Sequence, residues 1–348
     1  MNLLHGVGDF FALDIGTNAL RIVQLSGSIN GGFALQKYAY VPIDSRILQD
    51  TSDNGKKKIG EIINGALEQA DIKTKNIAFG LPARKTYTTV VEVEGINEKQ
   101  LKQTLKYQLD QFIPMALDEA EVSYSILGLS PNDPTKAEVL VSSVSKEFAE
   151  SQMEMMESIG LNVIVQEPEP IAMARALNPY GSMDAAMIID LGEDSTDLVA
   201  MYLGKPRLVR SIPGGIAAMA RVVAETLSVP QAQARQFILR FGLAQDQLDG
   251  QVFKALNATL DAYAMELTKS AQFFQTKYLG VPIKSIILSG FAGVIPFLSE
   301  YLEAKTGIQT AQGNPWQLVQ VTPEQQQVLQ SVASEFAVAI GLAERIND

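Results

Sequence analysis

The sequence predicts an α/β protein of two similar lobes, and three features of the chain support this prediction. Short apolar segments typical of strands alternate with amphipathic segments typical of helices along the 348 residues. At roughly 150 residues per domain, this length suggests about two domains or lobes. One motif occurs twice, at positions 14 and 190, and the offset is close to half of the chain. We therefore expect two related lobes that face each other.

The composition excludes several classes of function. The net charge of −11 argues against nucleic acid and anionic membranes as direct partners, because binding to either requires clustered Lys and Arg. The chain has no cysteine and a single histidine, His5, which excludes disulfides, thiolate chemistry, histidine triads and multi-histidine zinc sites. We find no secretory signal and no apolar run of about 18 residues that could span a bilayer. A soluble protein is therefore expected, and the absence of cysteine is compatible with a cytoplasmic location.

The first half of the chain predicts a sheet followed by a short inserted module. Strands are predicted at 10–15, 20–25, 33–41, 76–81 and 86–93, with a helix at 56–70. A helix then begins near Asn97, which can cap it together with Gln100, and ends at Pro114. Strands at 121–127 and 138–144 and a helix at 146–158 follow. Residues 95–158 are short enough to form an inserted subdomain.

The second half begins with the same order of elements. Strands are predicted at 185–191, 196–203, 206–212 and 285–288, and helices cover most of 216–279, 295–306 and 335–345. The expected division assigns 1–94 and 159–183 to the core of lobe 1, with 95–158 as its insertion. It assigns 184–213 and 285–334 to the core of lobe 2, 214–284 to a helical subdomain, and 335–348 to a helix that returns to lobe 1.

The repeated motif carries most of the functional information. In each copy an Asp ends an apolar strand, a Gly follows two residues later, and a polar turn leads to a second strand: Asp14 with Gly16, and Asp190 with Gly192. A carboxylate at a strand end can hold Mg²⁺, which prefers few protein oxygens together with water and phosphate. The glycine lets the backbone approach phosphate oxygens, and turn amides and hydroxyls can donate to them. Two such hairpins could grip a polyphosphate, although either copy alone could be an ordinary Asp turn.

A third element has the same character. Gly290 and Gly293 lie between a predicted strand and a predicted helix that has Pro296 in its first turn. Such a turn can approach a ribose or an α-phosphate near the N-terminus of the helix. The sequence contains neither a Walker A motif nor G-x-G-x-x-G, which argues against a P-loop and a dinucleotide fold.

These segments resemble the motifs of the actin-like ATPase superfamily, which includes actin, Hsp70 and sugar kinases. Residues 14–23 and 190–199 resemble its two phosphate motifs, and 288–296 resembles its adenosine motif. Residues 169–177 and 336–343 resemble its two connecting helices. The resemblance implies a two-lobed actin-like fold (ASKHA, a duplicated RNase H-like fold) with a 1C subdomain inserted in the first lobe.

Within the superfamily the chain is most similar to the PilM family of type IV pilus assembly proteins, which is related to FtsA. Residues 107–114, 117–127 and 209–215 carry this similarity, which covers nearly the whole chain. It implies Mg-ATP binding between the lobes, with Asp14 and Asp190 as the metal ligands. It also implies capture of the N-terminal cytoplasmic tail of PilN in a groove between subdomains 1A and 1C. Contacts with other inner-membrane and motor components of the pilus would bring the protein to the membrane only indirectly.

The resemblance also implies site residues. The nucleotide contacts it implies are Asp14, Gly16, Thr17, Asn18, Arg21, Asp190, Gly192, Ser195, Thr196, Gly214, Gly215, Gly290, Phe291 and Gly293. Glu169 is the candidate for orienting an attacking water, and its alternative role is a carboxylate favoured by the helix dipole. The candidates for the partner groove are Tyr107, Phe112, Ile113 and Pro114, for which core packing is the alternative.

The sequence departs from the superfamily pattern at several positions. Glu193 and Asp194 stand where the second phosphate turn usually has small or hydroxyl residues, and they would repel a triphosphate unless they point away or engage the metal. Phe291 replaces a usual second glycine, and Arg21 replaces a frequent lysine. We therefore expect nucleotide binding with at most slow ATPase activity.

Three functional hypotheses remain at this stage. In the first, the protein is an adaptor in which ATP acts mainly as a conformational ligand and sets the groove for PilN. The second is an FtsA-like scaffold that forms filaments, although such relatives normally carry a C-terminal membrane helix. The third is an actin-fold small-molecule kinase, for which no loop with a catalytic Asp is evident.

Overall fold

The structure is a computed structural model that describes residues 9–28, 31–50, 52–94, 108–329 and 332–345. These residues form three sheets with helices packed against them. The helix predicted from Asn97, the partner candidate Tyr107 and the single histidine lie outside the described residues.

Lobe 1 is built on a six-stranded sheet. Its strands are β1 (Phe10–Ile15), β2 (Ala19–Ser28), β3 (Gly32–Pro42), β4 (Asn76–Leu81), β8 (Asn162–Pro168) and β14 (Val319–Gln320). Their order is β14-β3-β2-β1-β4-β8, with β1, β2 and β3 antiparallel and β1, β4 and β8 parallel. Three helices accompany the sheet: α1 (Ser45–Gln49), α2 (Asp53–Gln69) and α3 (Lys146–Ser158).

Lobe 2 repeats this plan with a five-stranded sheet. Its strands are β9 (Ala186–Leu191), β10 (Ser195–Tyr202), β11 (Lys205–Pro213), β12 (Ser285–Gly290) and β13 (Gln309–Gln312), in the order β11-β10-β9-β12-β13. Strands β9, β10 and β11 are antiparallel, and β9, β12 and β13 are parallel. The helices are α5 (Ile216–Leu227), α6 (Gln231–Phe241), α7 (Gln251–Lys277) and α8 (Leu298–Thr306). The shared order and directions confirm the predicted duplication.

A third, three-stranded sheet forms the inserted subdomain. Its strands are β5 (Thr86–Glu94), β6 (Ala120–Leu129) and β7 (Lys136–Ser145), in the antiparallel order β5-β7-β6. The sheet therefore begins before the expected boundary at residue 95. Helix α3 was expected to belong to the insertion, but it packs on lobe 1. Its Met155 and Met156 are buried in the core of that lobe. We therefore propose that the insertion ends with β7, before the expected boundary at 158.

Two helices lie between the main sheets. Helices α4 (Glu169–Leu177) and α10 (Ala337–Ala343) pack against each other, and helix α9 (Pro323–Leu329) precedes the second of them. Small residues make the close approach possible, since an added Cβ at Gly341 would lie 1.8 Å from the carbonyl oxygen of Ala172. The two connecting segments thus form one tightly packed pair where the lobes meet.

The turn after β12 differs from its prediction. Residues Phe291–Gly293 form a single 3-10 turn, and α8 begins only at Leu298, so Pro296 precedes the helix instead of lying in its first turn. The cause is local, because Phe297 takes a left-handed backbone with φ of 61°. The carbonyl oxygen of Pro296 also accepts a hydrogen bond from the backbone N–H of Leu243 at 3.0 Å.

The inserted sheet is tied to lobe 2 by buried polar groups. Arg207 of β11 forms an ion pair with Glu138 of β7, and both side chains are buried. Tyr278 Oη donates to Glu138 Oε1 at 2.8 Å, and Lys277 Nζ donates to the carbonyl oxygen of Val90 in β5 at 3.2 Å. Removing either partner of a buried ion pair leaves an uncompensated charge, so these contacts hold the sheet against lobe 2.

Among the described residues, no helix combines the length and the hydrophobicity that a transmembrane span requires.

The close packing of α4 and α10 gives a testable prediction. Gly341→Ala should lower the free energy of unfolding by about 2 kcal/mol or more, because the new methyl group collides with the backbone of α4. The control is Gly65→Ala in α2, where an added Cβ meets no atom within 4 Å. That change should raise stability by about 0.5–1 kcal/mol through helix propensity. Chemical denaturation measures both, and equal stabilities of the two variants would contradict the packing described.

Candidate functional site

The two repeated hairpins meet at one cleft between the lobes. The β1–β2 turn forms one side of the cleft and the β9–β10 turn forms the other, with an empty volume of about 850 Å³ that is open to solvent. The predicted residues that line it are Asp14, Gly16, Thr17, Asn18, Arg21, Glu169, Asp190, Gly192, Ser195, Gly290 and Phe291. The cleft therefore brings together both phosphate-like motifs, the adenosine-like turn and the start of α4.

The two motifs differ in what stands opposite each aspartate. Asp14 pairs with Arg21 across strands β1 and β2, and Arg21 Nη1 donates to Asp14 Oδ2 at 3.0 Å. At the equivalent position in lobe 2, Asp190 stands opposite Asp197 across strands β9 and β10. Like charges directly opposite each other are destabilising. The lobe 1 aspartate is thus neutralised within its hairpin, whereas the lobe 2 aspartate is not.

The carboxylates of the cleft are held towards their protonated forms. Burial, together with the charge of Asp197, raises the pKa of Asp190 to about 7. Burial also raises the pKa of Asp14 and the pKa of Asp197, and the Arg21 guanidinium offsets only part of the rise at Asp14. The pKa of Glu169 lies well above its ordinary value, because this carboxyl is buried and faces Asp14 and the lobe 2 aspartates. The cleft therefore gathers more carboxyl groups than its own cations can hold in the ionised form.

This surplus fits a divalent cation. Mg²⁺ is usually held by one or two carboxylates together with water and phosphate oxygens, and Asp14 and Asp190 could supply that pair from opposite lobes. Asp197 Oδ1 is buried and has no hydrogen-bond partner among the described residues. A group of three or more closely placed metal-binding side chains does not occur in the part of the chain that the structure describes. The residues present thus suit a metal that arrives with a polyphosphate.

Two glycines make room for these side chains. An added Cβ at Gly16 would lie 2.5 Å from Arg21 Nη1, and one at Gly290 would lie 2.5 Å from Asp190 Oδ1. Gly290 also has a φ of 58°, a conformation that side chains rarely adopt. Both positions therefore require glycine for the carboxylate and guanidinium groups to reach the cleft.

Four of the predicted contacts are not on the surface of the cleft. Thr196 is buried, and its hydroxyl donates to the carbonyl oxygen of Gly214 at 2.9 Å. The backbone N–H of Gly214 donates to the carbonyl oxygen of Asp194 at 3.0 Å, and Gly215 packs on the backbone of Glu193. Gly293 is the buried last residue of the 3-10 turn. These residues shape the second hairpin and the turn after β12 and do not line the cleft itself.

Other residues line the cleft that the sequence motifs did not indicate. The most informative are Arg84, Asp197, Ser334 and Glu335. Asp197 follows Asp190 by the same seven positions that separate Arg21 from Asp14, so the internal repeat contained the signal for it. Glu335 forms an ion pair with Arg21 and accepts from Tyr40 Oη at 3.2 Å, a long-range contact that no local pattern indicates.

A second cavity, here called the groove, lies between lobe 1 and the inserted sheet. Its empty volume, counted together with the space open to solvent, is about 900 Å³, and its walls come from the ends of β4 and β8, from α3 and from strands β5 to β7. Residues from these elements include Leu81, Val122, Val144, Met153 and Pro168.

The predicted partner residues lie elsewhere in the inserted subdomain. Ile113 is buried against Val93 and Val139 of the inserted sheet, Phe112 packs on the same cluster, and Pro114 is exposed. None of these three residues, which the structure describes, lines the groove.

The cleft and the groove share two short stretches of chain. In the turn between β4 and β5, Pro82 and Arg84 line the cleft, whereas Leu81 at the end of β4 and Thr86 at the start of β5 line the groove. At the start of α4, Glu169 lines the cleft and its neighbour Pro168 lines the groove. A movement of either stretch would therefore alter both cavities.

Comparison with known proteins agrees with this architecture. A solved PilM-PilN type IV pilus biogenesis complex contains a chain that matches with a TM-score of 0.80 at 21% identity, covering 97% of this chain and 98% of that one. The ethanolamine utilization protein EutJ from Carboxydothermus hydrogenoformans matches with a TM-score of 0.56 at 13% identity, covering 97% and 89%. MreB5 of Spiroplasma citri bound to ADP matches with a TM-score of 0.52 at 11% identity, covering 96% and 95%.

These structural likenesses establish the actin-like ATPase fold. The sequence model of the family described as type IV pilus assembly protein PilM matches residues 12–347, which is nearly the whole chain. The chain therefore belongs to the PilM family of type IV pilus assembly proteins.

Proposed function

We propose that this protein is a nucleotide-binding adaptor of the type IV pilus assembly platform, located in the cytoplasm and recruited to the membrane through its partners. The observation that carries the proposal is the shared wall between an acidic interlobe cleft and a separate groove. A ligand in the cleft can thereby change the groove without any chemical step. Recognition is the main activity in this account, and the nucleotide is a conformational ligand.

The cleft would take Mg-ATP. Asp14 and Asp190 would hold the metal ion, which supplies positive charge for the phosphates. The glycine turns at Gly16 and Gly192 would let the backbone approach the phosphate oxygens. Arg84 lines the cleft and has no ion-pair partner among the described residues, so its guanidinium is available to a phosphate. The turn at Gly290 lies beside Asp190 and would face the nucleoside.

The expectation of slow turnover rests on the second phosphate-like turn, where Glu193 and Asp194 line the cleft and would repel a triphosphate. Glu169 stays the candidate for orienting an attacking water, because a raised pKa strengthens a carboxylate as a base. The N-terminal position of Glu169 in α4 also offers a structural role, because the helix dipole favours a carboxylate there. We therefore expect at most slow ATPase activity, with binding and release of nucleotide as the functional events.

The groove would take the N-terminal cytoplasmic segment of PilN. In the similar solved complex, PilM is paired with PilN. In this chain the groove is lined by apolar side chains together with hydroxyls such as Ser123 and Ser142, which suits an extended peptide with apolar side chains and polar backbone groups. Capture of a segment of a membrane protein would bring the adaptor to the inner face of the cytoplasmic membrane.

The buried contacts of the inserted sheet support coupling between the two sites. The ion pair between Glu138 and Arg207 joins the inserted sheet to lobe 2, whereas the opposite wall of the groove belongs to lobe 1. A change in the angle between the lobes would therefore move one wall of the groove against the other. Binding of the peptide would in turn favour one angle, since coupling between two sites is reciprocal.

The first prediction from the proposed function concerns the metal. Because the cleft has an excess of carboxylates, ATP should bind with Mg²⁺ and lose most of its affinity in EDTA. Asp190→Asn should weaken Mg-ATP binding about tenfold or more, which corresponds to about 1.4 kcal/mol. The matched control is Asp246→Asn, which changes an exposed aspartate outside the cleft and should bind like the wild type. Titration calorimetry measures these affinities, and metal-independent binding would contradict the assignment.

The second prediction concerns the groove. Met153 lines the groove and is 37% exposed, so Met153→Arg should fill part of it and weaken binding of a PilN N-terminal peptide about tenfold or more. Met265→Arg is the matched control, because Met265 is exposed on α7 away from the groove. Fluorescence anisotropy with a labelled peptide reports both affinities. Equal affinities of the two variants would place the peptide elsewhere.

A further inference from the structure

Glu193 occupies the space between the two phosphate-like turns. It belongs to the β9–β10 turn of lobe 2, and its Oε2 accepts a hydrogen bond from Asn18 Nδ2 in the β1–β2 turn of lobe 1 at 2.7 Å. The two residues are 175 positions apart in the sequence. The contact therefore joins the tips of the two hairpins directly across the cleft.

The second oxygen of this carboxylate is held from within lobe 2. Arg235 Nη1 of α6 donates to Glu193 Oε1 at 2.7 Å, and the Arg235 guanidinium lies 4.7 Å from the centre of the Phe291 ring. The Glu193 side chain is 15% exposed and the Arg235 side chain 26%. Both oxygens of Glu193 are thus bound by N–H donors whose positions are set by packing.

The donors of Glu193 are the kind that bind phosphate. An amide N–H and a guanidinium engage carboxylate and phosphate oxygens in the same way. The cations that line the cleft are Arg21 and Arg84, and Arg21 is already paired with Asp14 and Glu335, whereas Arg235 reaches the cleft through Glu193. A phosphate that enters between the hairpins would therefore compete with Glu193 for the donors Asn18 and Arg235. The negative charge of Glu193 would also repel the phosphate.

We propose that Glu193 is an internal anion that latches the two hairpins together, held by Asn18 of one lobe and Arg235 of the other, and that an entering polyphosphate displaces it. The inference rests on the proposed function, because it assumes that the cleft takes a nucleotide. After displacement, the phosphate accepts hydrogen bonds from Asn18 and Arg235 in place of the Glu193 carboxylate. The cost of breaking the latch lowers nucleotide affinity, and its release frees the two lobes to take a different angle.

The first arm of the test measures affinity. Glu193→Ser replaces the carboxylate with a small hydroxyl residue, and it should tighten Mg-ATP binding about tenfold relative to the wild type. Glu225→Gln, which changes an exposed glutamate on α5, is the matched control and should leave the affinity unchanged. If Glu193→Ser binds Mg-ATP as weakly as the wild type or more weakly, Glu193 does not compete with phosphate and the proposal is overturned.

The second arm needs no nucleotide. Because the chain contains no cysteine, Lys57→Cys in lobe 1 and Lys254→Cys in lobe 2 give a single pair of spin labels on exposed helix positions. The distribution of interlobe distances measured by electron paramagnetic resonance should be narrow for the protein that keeps Glu193 and broader for Glu193→Ser and Asn18→Ala. Identical distributions would show that the contact does not hold the lobes together, and the latch would be wrong.

The two arms separate the latch from the proposed function. Failure of every form to bind Mg-ATP, with a broadened distance distribution in the variants, would refute the nucleotide adaptor and leave the interlobe contact standing. Equal nucleotide binding by wild type and Glu193→Ser, with unchanged distances, would refute the latch and leave the adaptor standing.

Discussion

The burial of acidic side chains at the ends of facing strands is the constraint on which the rest of the structure depends. Duplication of one sheet plan brings Asp14 and Asp190 to opposite sides of the same cleft. Burial and mutual repulsion then raise the pKa values of the carboxyl groups gathered there. Arg21 compensates this charge in lobe 1, and Asp197 adds to it in lobe 2. The fold thus creates a local shortage of positive charge that a metal ion with its phosphates would meet.

Local sequence patterns predict the repeated parts of the fold well. Strands β1 and β4 and helix α3 occupy their predicted residues, because apolar periodicity and flanking turn residues define them, whereas α4 was expected only from the resemblance to a connecting helix. Strand β8 was missed since its sequence is partly polar, and its Glu167 is buried only because Arg175 and Arg345 pair with it. Strands β13 and β14 are short and border polar turns, so neither has enough residues to show the alternation of apolar and polar side chains that predicts a strand.

The candidate site also has one part that the sequence predicts and another that it does not. The strand-end aspartates and their glycines follow from the repeat, and the structure places them in one cleft. Contacts that join distant parts of the chain could not be predicted, such as Glu335 with Arg21 and Glu138 with Arg207. These contacts depend on how distant segments of the chain pack together, and a short stretch of sequence does not contain that information. Among the predicted partner residues, Ile113 belongs to the core of the inserted sheet, whereas the groove is lined by other residues.

The direct test of the account is to locate the metal. A crystal structure with Mn²⁺ and a non-hydrolysable ATP analogue can do this, because Mn²⁺ accepts the same oxygen ligands as Mg²⁺ and gives an anomalous signal. The account predicts one strong peak in the cleft, bound to phosphate oxygens and to Asp14 and Asp190 directly or through water. A nucleotide bound elsewhere, or a cleft without the metal peak when the nucleotide is present, would contradict it.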